Sequence, residues 1–149
     1  MAEPRHPRGL IDTSVVIDLE LIEPADLPAE VAVSAITMAE LAAGPHATTE
    51  PAERARRQDR LQRAEATFEP LPVDTAVARA YGRVYAAVGA AGRRARGRRA
   101  VDLFIAATAV AAGLPLYTRN PDDFAGFVVW TIGHNSAKSY ARRLNACRE

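Results

Sequence analysis

Residues 100–113, AVDLFIAATAVAAG, carry bulky or small apolar side chains on nearly every side of a helical wheel. A surface helix shows a polar face, so a helix apolar all round has to be covered by other elements. It is followed by the strand pattern LPLYT (114–118), the turn RNPDDF (119–124) and another strand pattern, FVVWTI (127–132). The same alternation fills the first part of the chain. RGLID (8–12) reads as a strand, TSVVIDLEL (13–21) as a helix and VAVS (31–34) as a second strand. Ser34 is placed to cap the helix AITMAELAAG, which stops at Gly44-Pro45. Strands separated by helices predict an α/β sandwich around a central, mainly parallel sheet of four to five strands. Ligands of such a sheet bind beyond the carboxyl ends of its strands.

Between these blocks, residues 51–67 are helical in pattern but mostly polar, so one face at most is buried. FEPLPV (68–73) is extended, and Asp74 caps a long helix with apolar positions Val77, Tyr81, Val84, Tyr85 and Val88. Glycines 89, 92 and 97 open a basic loop, GRRARGRR, leading into the apolar helix at residue 100. A chain of 149 residues is most simply one domain, here spanning 1–132. The tail 133–149 has no clear packing pattern; it reads as a disordered extension, a partner-binding segment or a piece not native to the domain.

No apolar run is long enough for a membrane span, and MAEPRHPRG lacks the apolar centre of a signal peptide. Cys147 is the single cysteine, which excludes a disulfide framework and a cysteine metal cage. A cytoplasmic location with no membrane partner is the expectation. The net charge of +1 gives no general argument for nucleic acid, although 18 of the 19 basic residues are arginine, the side chain that grips phosphate with two donors.

The informative residues are acidic. Asp12 closes the first strand, Glu40 follows Met38 and Ala39 in the helix after the second, and Asp102 lies in the first turn of the apolar helix. Asp122 and Asp123 lie in the turn past Thr118. Singly, Asp12 also suits a cap for the helix starting at Thr13, Asp102 suits the helix dipole, and the Asp122-Asp123 pair suits a turn after Pro121. Glu40 has no such capping role. In a parallel sheet the ends of the first strand and of LPLYT share one rim with the starts of the following helices. Carboxylates converging there repel one another unless a cation sits among them, and Mg²⁺ or Mn²⁺ takes such hard oxygen ligands.

The blocks LIDTSVVI, SAITMAELAAG and AVDLFIAATAVAAGLPLYTRNPDDF, in this order, resemble the successive motifs of PIN-domain ribonucleases. Within that family they are most similar to the VapC toxins of bacterial type II toxin–antitoxin pairs. The resemblance spans residues 8 to about 132 and implies a PIN-like fold and a Mg²⁺- or Mn²⁺-dependent endoribonuclease with one or two ions. It puts Asp12, Glu40 and Asp102 in the leading acidic positions. Many relatives carry an aspartate two residues after the threonine, where this chain has Asn120; others use the acidic residue before the phenylalanine, here Asp123. Asp123 is therefore taken as the fourth catalytic acid, with Asp122 as the alternative. Metal ligands would be Asp12, Asp102 and Asp123, with Glu40, Asp122 and Asn120 as further candidates. Thr13, Ser14 and Thr118 would orient the carboxylates through their hydroxyls. Glu40 would either ligate a metal or act as the base positioning the attacking water.

Arg93, Arg94, Arg96, Arg98 and Arg99, in the loop leading to Asp102, are candidate contacts to the RNA backbone; the same loop also reads as a solvated segment or one covered by an acidic partner. The resemblance further implies an RNA substrate, a cognate antitoxin, a homodimer and a block of translation or growth. A catalytically weak PIN-fold RNA-binding or partner-sequestered module is the alternative, fed by Asn120. A haloacid-dehalogenase-like phosphatase would need an aspartate where Ser14 stands. A receiver-type phosphoacceptor would need a lysine after a late strand, whereas Lys138 lies in the tail. Neither GxxxxGK[ST] nor GxGxxG occurs. His6, His46 and His134 fall in loops or near the termini, away from any catalytic post.

Overall fold

A computed structural model describes residues 6–90, 98–124, 127 and 129–132. Within them β1 (Arg8–Ile11), β2 (Glu30–Ala32), β3 (Leu116–Thr118) and β4 (Val129–Thr131) form one parallel sheet in the order β2-β1-β3-β4. The chain steps from β1 to β2 on one side, then returns to β3 on the other side of β1. The carboxyl ends of β1 and β3 therefore flank the point where the winding reverses, which is where an open α/β sheet leaves a crevice.

Among the described residues five α-helices cover the sheet: α1 (Thr13–Ile17), α2 (Ala35–Ala43), α3 (Pro51–Thr67), α4 (Thr75–Ala90) and α5 (Arg98–Ala112). Strand alternation sends Leu10, Ala32, Leu116 and Val129 into one core with Val77, Ala80, Val84 and Val88 of α4 and Leu103, Ile105 and Ala106 of α5. The opposite face gathers Ile11, Val33 and Tyr117 with Val15 and Val16 of α1, Leu41 of α2 and Ala64 of α3. This is a three-layer sandwich. Each fully buried leucine or isoleucine contributes about 1.5–3 kcal/mol relative to exposure.

Several elements match the sequence pattern because their caps are explicit. Ser34 Oγ accepts from the backbone N–H of Thr37 at 3.0 Å, and Asp74 Oδ1 from that of Val77 at 3.0 Å. The extended segment 68–73 runs beside the end of β2, where Leu71 N–H donates to Val33 O at 2.9 Å and Ala35 N–H to Leu71 O at 2.8 Å. The apolar helix closes in a Schellman turn. Gly113, at φ +66, supplies the left-handed residue, and Leu114 N–H reaches back to Ala109 O.

Four expectations are corrected. The helix expected over 13–21 stops at Ile17, and Leu19–Leu21 forms a separate 3-10 turn. Three successive β-branched residues propagate a helix poorly, and Asp18 closes it with its own N–H and an ion pair to Arg119 at 2.8 Å. Tyr85 is exposed rather than part of the buried face of α4, because that face runs Val77, Ala80, Val84, Val88. Arg98 and Arg99 belong to α5 rather than to a loop, since arginine extends a helix readily. Asp102 consequently sits in the second turn of α5, not the first. The basic segment 91–97, with Arg93, Arg94 and Arg96, the side chain of Arg98 and the tail 133–149 lie outside the described residues.

Candidate active site

Ile11 pairs with Tyr117 in the sheet, and the next residue of each strand, Asp12 and Thr118, reaches the rim. Asp12 is only 4% exposed, an unusual setting for a carboxylate. Its Oδ1 accepts from Ser14 Oγ at 2.6 Å and from the backbone N–H of Val15 at 3.1 Å. Thr118 Oγ1 donates to its Oδ2 at 2.5 Å. Asp12 thus caps α1, yet one carboxyl oxygen is committed across the sheet to β3. Burial is the main cause that pushes its carboxyl above the usual aspartate range; the three donors oppose this, and the charge of Asp123 adds to the rise.

Ser14 also accepts from the backbone N–H of Arg119 at 3.2 Å, and Thr118 accepts from that of Asn120 at 3.0 Å. These bonds tie the turn after β3 to the start of α1. The turn then tightens into a 3-10 segment, Pro121–Phe124, anchored by the fully buried Phe124. It leaves Asp122 and the side chain of Asn120 exposed, while Asp123 is half-buried with its charge felt at Asp12.

Glu40 meets the rim from α2. Thr13 Oγ1 donates to its Oε1 at 2.6 Å and lies 3.1 Å from Thr37 Oγ1. Asp102 is half-buried on α5, a helix that packs against both α2 and the turn carrying Asp123. The structure thus brings Asp12, Ser14, Thr118 and Asp123 into one set and joins Glu40 to Thr13, the neighbour of Asp12. His6 lies elsewhere, its Nδ1 2.5 Å from the Tyr117 hydroxyl.

Three participants were not anticipated from the sequence. Thr37 joins the hydroxyls beside Glu40, and its signal is the three-residue spacing Ser34, Thr37, Glu40 along one helix. Arg57 and Arg60 of α3 share an open groove of about 540 Å³ with Thr13 and Glu40. They fall on the same helical face as the buried Ala64, which was the legible clue. Arg57 is held by Glu53 at 2.9 Å and by Gly44 O at 3.0 Å.

The donors at the rim are carboxylates and hydroxyls, the oxygen set preferred by a hard divalent cation. A buried carboxylate whose charge is opposed by a second one fits such a cation. Among the described residues, no three His, Cys, Asp or Glu side chains group closely enough to enclose an ion unaided. Also among the described residues, no helix is long and apolar enough to cross a membrane.

Residues 10–127 match the model of the PIN domain. Ribonuclease VapC5 of Mycobacterium tuberculosis is 39% identical over 120 residues, covering 78% of this chain and 85% of its own. Ribonuclease VapC8 of the same species is 43% identical over 110 residues, covering 73% and 96%. The crystal structure of VapBC-5, a toxin–antitoxin system member from Mycobacterium tuberculosis, superposes with a TM-score of 0.69 at 39% identity, over 80% of this chain and 89% of that one. FitAcB from Neisseria gonorrhoeae superposes with a TM-score of 0.62 at 28% identity, over 84% and 96%. With the strand-end carboxylate, the parallel sheet and these matches in agreement, the chain belongs to the PIN-domain family.

Proposed function

We propose that this protein is an endoribonuclease that hydrolyses RNA phosphodiesters with the help of Mg²⁺ or Mn²⁺, and that it is the toxin of a toxin–antitoxin pair. The observation that carries the reading is the burial of Asp12 at the reversal point of the sheet, with three donors on its carboxylate and Asp123 near enough to oppose its charge. The relatives named ribonuclease and the similarity to toxin–antitoxin structures support the substrate class and the partner.

Asp12, Asp102 and Asp123 are the residues proposed to hold the cation, with Glu40, Asp122 and Asn120 as further candidates. When bound, such a cation lowers the pKa of a water it holds and offsets charge building on the phosphodiester. The chain's own residues prepare that chemistry. Thr118, Ser14 and the N–H of Val15 fix the orientation of the Asp12 carboxylate. Glu40, steered by Thr13, is the group proposed to orient the attacking water or take its proton. The arginines at 93, 94, 96, 98 and 99 are proposed to hold the RNA backbone, an effect that falls with added salt.

A cognate antitoxin, a homodimeric state, and growth arrest through blocked translation in the cytoplasm complete the proposal. The deciding experiment is cleavage of a structured RNA in Mn²⁺ by the wild type and by Asp12→Asn, with a chelator control. Cleavage by the wild type alone, lost on chelation, supports the nuclease. Equal cleavage by both, or cleavage by neither, overturns it and leaves an RNA-binding module.

A further inference from the structure

Ser34 and Thr37 are both fully buried, and their hydroxyls lie on the line from the cap of α2 to Glu40. Four contacts make up this line. Thr37 N–H donates to Ser34 Oγ at 3.0 Å; Ser34 Oγ lies 3.3 Å from Thr37 Oγ1; Thr37 Oγ1 lies 3.1 Å from Thr13 Oγ1; and Thr13 Oγ1 lies 2.6 Å from Glu40 Oε1.

The proton count fixes the direction. A hydroxyl has one proton to give, and an ionised carboxylate only accepts. The Thr13 proton goes to Glu40 along the shortest contact, so Thr13 is the acceptor toward Thr37. The Thr37 proton is then used on Thr13, which leaves Thr37 to accept from Ser34. The result is a one-way sequence, Ser34 to Thr37 to Thr13 to Glu40, in which each bond polarises the next.

We propose that Thr37 is a positioning residue for Glu40, acting through Thr13 and touching neither substrate nor cation. Thr13 belongs to α1 and Glu40 to α2, so their bond spans two helices, and only a fixed Thr13 rotamer keeps it short. Thr37 sets that rotamer by presenting its proton to Thr13 Oγ1. Without it, Thr13 turns among its staggered positions, and Glu40 loses its fixed aim. This inference rests on the role proposed for Glu40 in RNA cleavage.

The test compares Thr37→Val, which keeps the shape and removes the hydroxyl, with Thr37→Ser, which keeps the hydroxyl. Two readouts are taken. The first is steady-state RNA cleavage: kcat falls ~10-fold or more in Thr37→Val with KM unchanged, as for other supporting partners of a catalytic group, and recovers in Thr37→Ser. The second uses the metal-free protein and needs no activity: three-bond couplings of Thr13 Cγ2 to its backbone N and C′. They report one rotamer in the wild type and Thr37→Ser, and an average in Thr37→Val. Thr37→Cys, similar in size and a weak donor, carries the same prediction should the valine variant not fold.

A wild-type kcat in Thr37→Val, an equal loss in Thr37→Ser, or a single Thr13 rotamer in Thr37→Val would overturn the proposal. If the wild type itself cleaves no RNA, the nuclease reading falls, while the Thr13 couplings still decide whether Thr37 sets its rotamer.

Discussion

Thr118 and Asp12 stand 106 positions apart in the chain and meet across β1 and β3, the threonine hydroxyl 2.5 Å from Oδ2 of the carboxylate. The same hydroxyl oxygen accepts from Asn120 N–H at 3.0 Å. Thr118→Val therefore removes a donor and an acceptor from a fully buried position at little change in shape. A stability loss of about 1–3 kcal/mol is expected. Urea denaturation of the metal-free protein measures it, and a loss well below 1 kcal/mol would show that neither bond matters.

Asp12→Asn is expected to raise the stability of the metal-free protein at neutral pH while abolishing cleavage. Burial, with a smaller contribution from Asp123, lifts the Asp12 carboxyl above its ordinary 3.8. A group with a raised folded-state pKa favours folding fully below the unfolded value. That benefit disappears as pH rises through the folded value. At pH 7 the ionised carboxylate opposes folding, and the amide does not. Melting curves in chelator should show the variant above the wild type at pH 7, with the gap closing as pH falls toward 3.8. An asparagine variant that melts lower at pH 7 contradicts the burial account.

Gly9 occupies β1 under the Tyr117 ring. A Cβ there would lie 2.7 Å from Tyr117 Cε2 and 3.0 Å from Pro28 Cγ. The ring is buried, and its hydroxyl is engaged by His6, so it cannot retreat freely. Gly9→Ala is expected to destabilise by about 1–3 kcal/mol through overpacking. Replacing Tyr117 with leucine in the same chain should recover part of that loss, and a double variant no better than the sum of the singles would exclude this clash as the cause.

Residues whose function follows from periodicity were legible. Leu10 and Ile11 alternate between the two cores, so the strand and the rim position of Asp12 could be read directly. The caps Ser34 and Asp74 were equally plain, because a short polar side chain before an apolar run has a local reason to be there. Thr37 was legible only as a spacing from Ser34 and Glu40: inside a helix a threonine looks like a neutral filler, and its partner Thr13 comes from another helix. The Asp18–Arg119 pair is likewise long-range, and it helps end α1 where local pattern continued it. The basic run before Asp102 has the composition of a loop, which puts Asp102 in the first turn of the expected helix, although arginine continues a helix as readily as it solvates one.

The choice between Asp122 and Asp123, open from sequence, becomes a measurable difference. Asp123 is half-buried, and its charge reaches Asp12, whereas Asp122 is exposed and is not among the charges that shift Asp12. If Asp123 is the fourth acid, Asp123→Asn should lower kcat by an order of magnitude or more, and Asp122→Asn should leave it nearly unchanged. The same charge argument fixes a second sign. Removing Asp123 relieves part of the push on the Asp12 carboxyl, so metal-free Asp123→Asn should melt slightly above the wild type at pH 7. Asp122→Asn should not. Because activity and metal-free stability then move in opposite directions at only one residue of this pair, a fold defect cannot imitate the result, and the reverse ranking of the two variants would assign the site to Asp122.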